Sequence, residues 1–229
     1  MRALQTGAPI GNSGARAPEF PVLRITNRHV SAQICLPDTE CGYYRGTRFD
    51  WSGIVRDLRS RGHRYVSEWQ SRHDPLRHDG LTGPADEFTQ IGYEQARPGE
   101  EFLKIGVGTL RKPFDQPYDR FRLYEIVDPG IRDLIAGRDR IEFRHRMLND
   151  DYGYDYRKTL ILTDAPGLRL EYTLKNLGPA PLTGYVYNHN FFTLDRMATG
   201  PDTSILFPFE PEGTWREAYD SVALTPDGV

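Results

Sequence analysis

Residues 182–194, LTGYVYNHNFFTL, place a histidine in the middle of a pattern that predicts a β-strand. Side chains alternate between the two faces of a strand, so Tyr187 and His189 share one face while Asn188 lies on the other. Aromatic rings can stack on an apolar C–H face, and imidazole and amide groups can bond to hydroxyls. The pattern is typical of a groove for a polar, hydroxyl-bearing ligand. The alternative is a core strand whose polar groups are satisfied within the protein.

A second reactive segment lies early in the chain, at residues 41–53, CGYYRGTRFDWSG. Arg48 offers a planar fork of hydrogen-bond donors, and Trp51 offers a stacking face. We expect both to contact the same polar ligand. The alternative for Arg48 is a pairing with a surface carboxylate, which is the commonest role of an arginine.

The third segment is a charged stretch, residues 71–88, that predicts a long loop. His73 and His78 are separated by four residues that include a proline, a spacing that suits neither a strand face nor a helical turn. The stretch therefore favours a solvated loop over a metal site. Asp86 and Glu87 differ, because they follow a turn shaped by glycine and proline that is expected to hold them over a cleft.

Alternating apolar residues and turn residues predict the elements that position these groups. Two hairpins are indicated, one over 53–69 with its turn at Ser60-Arg61-Gly62 and one over 152–174. Within the strand predicted at 141–147, His145 shares the apolar face, which indicates a buried structural histidine. Further strands are expected at 30–36, 102–110, 120–127 and 204–209, with a turn-rich stretch and one helical turn at 128–137.

This succession of strands and turns indicates an all-β, mostly antiparallel sandwich or barrel rather than an α/β protein. The 229 residues are enough to bury one large core. Residues 1–20 are rich in Gly, Ala, Pro and Ser and predict a disordered lead-in, and residues 21–229 predict a single β-sandwich domain.

Composition narrows the class of partner. The formal charge of −3 argues against a nucleic-acid partner and against binding to a membrane surface through basic residues. No run reaches the apolar length of a membrane span, and the first twenty residues lack the apolar core of a secretory signal. The two cysteines, Cys35 and Cys41, match no zinc motif and are too few for a disulfide framework. These features favour the cytoplasm.

Three stretches together resemble the aldose 1-epimerase superfamily, whose fold is the galactose mutarotase-like β-supersandwich. GYYRGTRFDWSGIV resembles the early family segment that leads to a sugar-binding arginine, with Arg48 as the match. EYTLKNLGPAPLTGYVYNHNFF resembles consecutive family strands that end in a catalytic histidine, with His189 as the match. AGRDRIEFRHRM, with the hairpin after it, has the spacing of the middle strands. The resemblance covers residues 22–209.

The resemblance implies an isomerase that interconverts sugar anomers by acid–base ring opening, with a small-molecule sugar as partner and no cofactor or metal. His189 would be the acid, Arg48 would hold the sugar, and His78 lies just before the turn where the family has a second histidine. The family's general-base glutamate would fall after Val229 in strand order, so the chain is expected to lack the last strands. Asp86 or Glu87 would then supply the carboxylate.

The competing hypothesis is a carbohydrate-binding β-sandwich module without turnover. It would use Arg48, Trp51, Tyr187 and His189 as a docking surface, and the absence of the late acids favours it. A third option is an accessory sandwich domain of a polysaccharide-degrading protein, which would be expected to carry a secretion signal. Exchange of sugar anomers distinguishes the isomerase from the binding module.

Overall fold

The structure is a computed structural model that describes residues 20–200 and 203–210. This part of the chain is all-β, with antiparallel strands, one short 3₁₀ turn at Leu194–Arg196 and no α-helix. The strands are β1 (Val22–Thr26), β2 (Val30–Cys35), β3 (Ile54–Ser60), β4 (His63–Val66), β5 (Gly83–Phe88), β6 (Glu101–Lys104), β7 (Gly108–Arg111), β8 (Ile126–Asp128), β9 (Ile131–Ala136), β10 (Arg140–Leu148), β11 (Gly153–Leu162), β12 (Leu168–Asn176) and β13 (Val186–Phe191).

Two four-stranded sheets form the main layers, with the strand orders β1-β2-β3-β4 and β12-β11-β10-β9. They share one apolar core, to which the first sheet contributes Ile34 and Val55 and the second Phe143 and Leu160. The strict alternation of buried and part-exposed residues along β10 explains why this strand presents one face to the core. The two sheets therefore pack face to face, as the sandwich prediction requires.

A smaller half is built from the β6-β7-β8 sheet, the two-stranded β5–β13 ribbon and the connection between β2 and β3. That connection, residues 36–53, has no regular strand, yet it buries Tyr44, Phe49 and Trp51 in a second core with Phe102 and Leu110. Burial of these aromatic side chains holds an otherwise irregular segment in one conformation. The position of Arg48 beside the ribbon is therefore fixed.

Both hairpins predicted from the sequence are confirmed, as β3–β4 and β11–β12. The prediction for 102–110 is wrong, because this stretch is a hairpin of β6 and β7 and not one strand. Its turn contains Gly106 with φ +82°, where a Cβ atom would lie 2.6 Å from the Asp50 side chain. Glycine is required there by both the backbone conformation and the close approach.

Three further stretches differ from the prediction. Residues 128–137 contain β9, which pairs with β10, and not a helical turn. Only the end of 120–127 joins a strand, β8, and within 204–209 only Leu206 forms a single bridge. In each case the pairing partner, rather than the local alternation of residues, decides whether a segment becomes a strand.

The most consequential difference concerns β5, which lies within the predicted loop 71–88. Residues Gly83–Phe88 form a strand that pairs with β13 over six residues. Pro84 can be accommodated because the ribbon has only two strands, and proline is tolerated where no ladder hydrogen bond is required of it. Asp86 and Glu87 therefore project from a strand and not from a turn.

The predicted lead-in falls mostly outside the described residues, as does the end of the predicted domain after residue 210. Phe20 packs edge-on against the rings of Tyr43 and His73.

Cys35 is buried and Cys41 is exposed, and both are free thiols. Within residues 20–200 and 203–210, no helix has the length and apolar character needed to cross a membrane.

Candidate functional site

The β5–β13 ribbon sorts the predicted site residues onto two faces. Its register places Tyr187 opposite Glu87, Asn188 opposite Asp86 and His189 opposite Ala85. Since alternate residues share a face, Glu87, Tyr187 and His189 lie together, while Asp86 and Asn188 lie on the reverse. The first set is called the open face below, and the second the sealed face.

Glu87 is the centre of charge on the open face. Arg48 Nε donates to Glu87 Oε2 at 2.8 Å, and the Nε of Arg120 lies 3.6 Å from Glu87 Oε1. The side chains of Glu87 and Arg48 are 7% and 10% exposed, whereas that of Arg120 is 42% exposed. One nearly buried carboxylate thus holds two guanidinium groups, one of which reaches solvent. The alternative from the sequence was a pairing of Arg48 with a surface carboxylate; Arg48 does pair with a carboxylate, but that carboxylate, Glu87, is nearly buried.

His189 lies half-buried next to this ion pair. Its ring stacks on Phe191 with centroids 3.8 Å apart and meets Phe49 edge-on at 6.1 Å. Burial lowers the pKa of His189 below its ordinary value, the charge of Arg48 lowers the pKa further, and the charge of Glu87 opposes the shift. The imidazole is therefore neutral at neutral pH and is ready to accept a proton.

Aromatic rings fix the position of Arg48. Its guanidinium carbon lies 4.5 Å from the centroid of Phe49 and 5.2 Å from that of Phe121. His78 meets Phe121 edge-on at 4.7 Å, so this predicted residue joins the site through that ring, whereas the polar partners of Glu87 within the described residues are Arg48 and Arg120. Phe121 was not among the predicted site residues, because nothing in its local pattern separates it from an ordinary surface phenylalanine.

A cleft of about 550 Å³ opens beside Glu87, within the range of roughly 300–1,000 Å³ typical of small-molecule sites. Its lining includes Glu87, Thr89, Tyr118, Asp119, Arg120 and Tyr185. Lys104 lies beneath it, where Nζ donates to the backbone oxygen of Phe88 at 2.5 Å. Burial lowers the pKa of Lys104 to about 8, although the charge of Glu87 opposes the shift.

The predictions for Asp86 and Asn188, which lie on the sealed face, are corrected by the structure. Asp86 is fully buried and its Oδ2 lies 2.6 Å from Lys158 Nζ, while its Oδ1 accepts from Asn188 Nδ2 at 2.5 Å. Strand alternation turns both residues away from His189, so neither belongs to the candidate site. Of the two adjacent carboxylates, Glu87 alone faces the imidazole.

Trp51 also does not lie in the site. It is 2% exposed, its Nε1 donates to the oxygen of Gly46 at 2.8 Å, and Arg132 covers its ring at 4.9 Å. The exposed tryptophan on the open face is Trp69, which is 47% exposed and stacks on Phe191 at 6.1 Å. Its position after β4 was visible in the sequence, but its proximity to β13 was not.

The remaining histidine prediction is confirmed. His145 is 1% exposed, and its Nε2 lies 2.9 Å from the oxygen of Pro129 while Nδ1 lies 3.1 Å from the Tyr154 hydroxyl. A ring that donates at Nε2 and accepts at Nδ1 is neutral, and burial lowers its pKa to about 3. His145 is a structural residue.

The open face therefore combines a neutral imidazole, a carboxylate between two guanidinium groups, and exposed aromatic rings. Of these groups, Glu87, Arg120 and Tyr185 line the cleft, and His189 and Arg48 lie outside its lining. This combination can exchange protons with a ligand, bond to hydroxyl groups and stack on an apolar ring face. Among the described residues, no three His, Cys, Asp or Glu side chains gather as a metal ion would require. No family model, no curated protein and no solved structure matches the chain, so its function must be argued from this geometry.

Proposed function

We propose that the open face binds a small sugar and interconverts its anomers, as in the aldose 1-epimerases that the sequence resembles, on a galactose mutarotase-like β-supersandwich. The observation that carries the proposal is the meeting of His189, Glu87 and Arg48 on one face of the ribbon, beside a cleft of about 550 Å³. These residues are about 40 to 140 positions apart in the chain, and no single local motif would bring them together.

His189 is the group that moves the proton. Because its imidazole is neutral, it accepts the proton of the C1 hydroxyl, and the C1–O5 bond breaks as the C1=O1 double bond forms. The electron pair remains on O5, which takes a proton from water in the cleft. Rotation about C1–C2 and the reverse steps give the other anomer. The resemblance assigns His189 the role of acid, whereas the lowered pKa favours proton acceptance as the first step.

Glu87 and Arg48 support this transfer electrostatically. Arg48 faces the charge that develops on O5, and the two rings on either side of its guanidinium hold it in one orientation. Glu87 fixes Arg48 and supplies a negative charge near the imidazolium that forms on His189. Neither residue needs to change its protonation state in the reaction.

A second candidate function is sugar binding without turnover. It is favoured by one observation, namely that Glu87 already accepts from Arg48 at 2.8 Å and is therefore not free to act as a base. The other carboxylate in the cleft lining, Asp119, accepts from the backbone of Phe121 at 2.9 Å. In this function the exposed rings of Trp69, Tyr185 and Tyr187 form a binding platform.

Polarimetry of freshly dissolved α-glucose and α-galactose tests the proposal. We expect the protein to accelerate anomer exchange, and we expect His189→Ala to lower that acceleration by about 10²–10⁴-fold while keeping a cooperative thermal transition. His29→Ala is the matched control, because His29 is also half-buried but lies between β1 and β2.

Saturation-transfer NMR on the same sugars separates the two functions. Contact with the protein without faster exchange supports the binding module and contradicts the isomerase. A loss of about 3 kcal/mol or more in the unfolding free energy of His189→Ala would identify His189 as a core residue and contradict both functions.

A further inference from the structure

The sandwich is open along one margin, where both of its layers end in an edge strand. β12 is the last strand of the β12-β11-β10-β9 sheet, and β13 is the outer strand of the β5–β13 ribbon. Tyr172 on β12 and Asn188 on β13 both donate to Asp86 Oδ1, at 3.3 and 2.5 Å, so the two edge strands lie at the same margin. The interior of the sandwich is therefore accessible from this side.

The outer backbone edge of β12 is unpaired. Thr163 donates to the oxygen of Gly167 at 3.1 Å at one end of the β11–β12 hairpin, and Leu177 donates to the oxygen of Gly153 at 2.9 Å at the other. Because bonded and non-bonded pairs alternate in an antiparallel ladder, the odd-numbered residues of β12 bond to β11 and the even-numbered ones face outward. No other backbone group in the described part of the chain bonds to this outer edge.

The inner face beside this edge is apolar and exposed. Leu168 and Leu170 of β12 pack against the sandwich core, but Tyr172 and Leu174 on the same face are each 44% exposed. On the other layer, Val186 of β13 is 46% exposed. β12 has nine residues, no proline and no bulge, so it lacks the devices that normally protect an edge strand from pairing with another chain.

The sequence of β12 is self-complementary in one register. When two antiparallel copies of β12 are centred on Thr173, Glu171 lies opposite the second copy's Lys175, and Tyr172 lies opposite the second copy's Leu174. A twofold axis through Thr173 produces each of these pairs twice. The pairing joins opposite charges on the outer face and apolar side chains on the inner face.

The other registers that keep each face together are less favourable. Centring on Tyr172 places Arg169 opposite Lys175, and centring on Glu171 places two glutamates opposite each other. Like charges directly opposite each other destabilise a sheet. Registers centred nearer either end of the strand pair a shorter segment than the residues 170–176 that the Thr173 register pairs.

We propose that the chain forms a twofold-symmetric dimer in which β12 of each copy pairs with β12 of the other, with Thr173 at the axis. The two β12-β11-β10-β9 sheets then continue as one sheet, and the exposed Tyr172 and Leu174 side chains are covered by their counterparts. The inference is independent of the proposed sugar chemistry, because His189 and Glu87 lie on the open face of the ribbon.

Sedimentation equilibrium of the full chain over a range of concentrations tests the proposal, and a dimer is the expected result. Glu171→Lys and Lys175→Glu, each alone, place like charges at both cross-strand pairs and should raise the dimer Kd about tenfold or more. An equimolar mixture of the two variants should recover association, because the two lysines of one copy then lie opposite the two glutamates of the other.

Arg24→Glu is the matched control, because it makes the same change of charge at an exposed residue of β1, in the other four-stranded sheet. It should leave the Kd unchanged. Hydrogen exchange gives a second readout: the outward amides of Tyr172 and Leu174 should become protected only as the concentration rises through the Kd.

A chain that stays monomeric at every concentration overturns the proposal. Protection of these amides that does not depend on concentration does so too, since it would show that the margin is covered from within the same chain. Association that Lys175→Glu leaves unchanged, or that the mixed variants fail to recover, overturns the pairing through β12.

Discussion

The two faces of the β5–β13 ribbon use similar groups in different ways. On the sealed face, Asp86 and Lys158 are fully buried, and the Lys158 ammonium also donates to the oxygen of Ser52 at 2.8 Å. On the open face, Glu87 is paired with Arg48 and lies 3.6 Å from the Nε of Arg120, whose side chain is 42% exposed. Both faces thus pair a carboxylate with cations, and only one of them reaches a cleft.

This difference indicates that a binding site is distinguished from a structural network by its hydrogen-bond donors that are not taken up by partners within the protein. On the sealed face, Tyr156 donates to Asp50 at 3.1 Å and Tyr172 donates to Asp86 at 3.3 Å, and the remaining oxygen of Asp86, which accepts no hydrogen bond within the described residues, lies 2.6 Å from the Lys158 ammonium. Burial raises the pKa of Asp50, and the positive charge of Lys158 opposes that shift. A network that is satisfied in this way contributes to a single folded structure and has little to offer a ligand.

The strongest test of this comparison removes the cation of the sealed face. Lys158→Met should lower the free energy of unfolding by about 3–5 kcal/mol, because it leaves the buried carboxylates of Asp50 and Asp86 without their counter-charge. Urea unfolding at pH 7 measures the change. Arg169→Gln, at an exposed ion pair, should change it by less than about 0.5 kcal/mol. A loss below 1 kcal/mol for Lys158→Met would contradict the structural role assigned to the sealed face.

The corresponding change on the open face should affect function more than stability. Glu87→Gln should cost about 1–3 kcal/mol of unfolding free energy, since the amide that replaces the carboxylate can still accept the hydrogen bond from the nearly buried Arg48. The rate of anomer exchange should fall about tenfold or more, because the imidazolium formed on His189 loses a nearby negative charge. Denaturant unfolding and polarimetry on the same variant check the two effects. An unaltered rate would remove Glu87 from the site.

The pH dependence of exchange should report the neutral imidazole of His189. The groups that face it are Arg48 and Glu87, together with rings such as Phe49, and the net effect is a pKa below the ordinary histidine value. The protein-dependent rate should therefore stay constant from neutral pH to below the ordinary histidine pKa and fall only at lower pH, approaching about tenfold per pH unit once the imidazole is protonated. Polarimetry across pH 4–8 measures the profile. A rate that rises on acidification would assign His189 the role of acid instead.

The smallest expected effect concerns the aromatic platform. Trp69→Ala should weaken sugar binding by about 0.5–1.5 kcal/mol, because one stacking face is lost, and should also lower stability, because Trp69 Nε1 donates to the oxygen of Leu81 at 3.1 Å. Leu148→Ala, which truncates a 68% exposed side chain at the end of β10, is the control. Calorimetric titration gives both values, and equal effects would show that Trp69 does not contact the sugar.

The sequence alone predicts the structure correctly at positions where local interactions determine the conformation. Alternation assigned Tyr187 and His189 to one face of β13 and Asn188 to the other, and it identified His145 as a buried structural residue. The hairpins over 53–69 and 152–174 could also be predicted, because the residue types at their turns favour turns.

The errors arise where a distant partner decides the structure. Gly83 and Pro84 made β5 resemble a loop, and only its pairing with β13, about 100 residues later, makes it a strand. The face occupied by Asp86 follows from that pairing and could not be assigned without it. Trp51 has the composition of a binding residue, but its position between Arg132 and the core is a tertiary property.

The long separation between β5 and β13 has a consequence for biosynthesis. Because loop closure over about 100 residues must precede the pairing of Glu87 with Tyr187, the ribbon belongs to the slow, non-local contacts of the fold. A nascent chain that has exposed only its first 180 residues contains β1–β12 but lacks His189, so it cannot carry the site. The proposed activity should consequently emerge late during translation, after the two large sheets have had time to form.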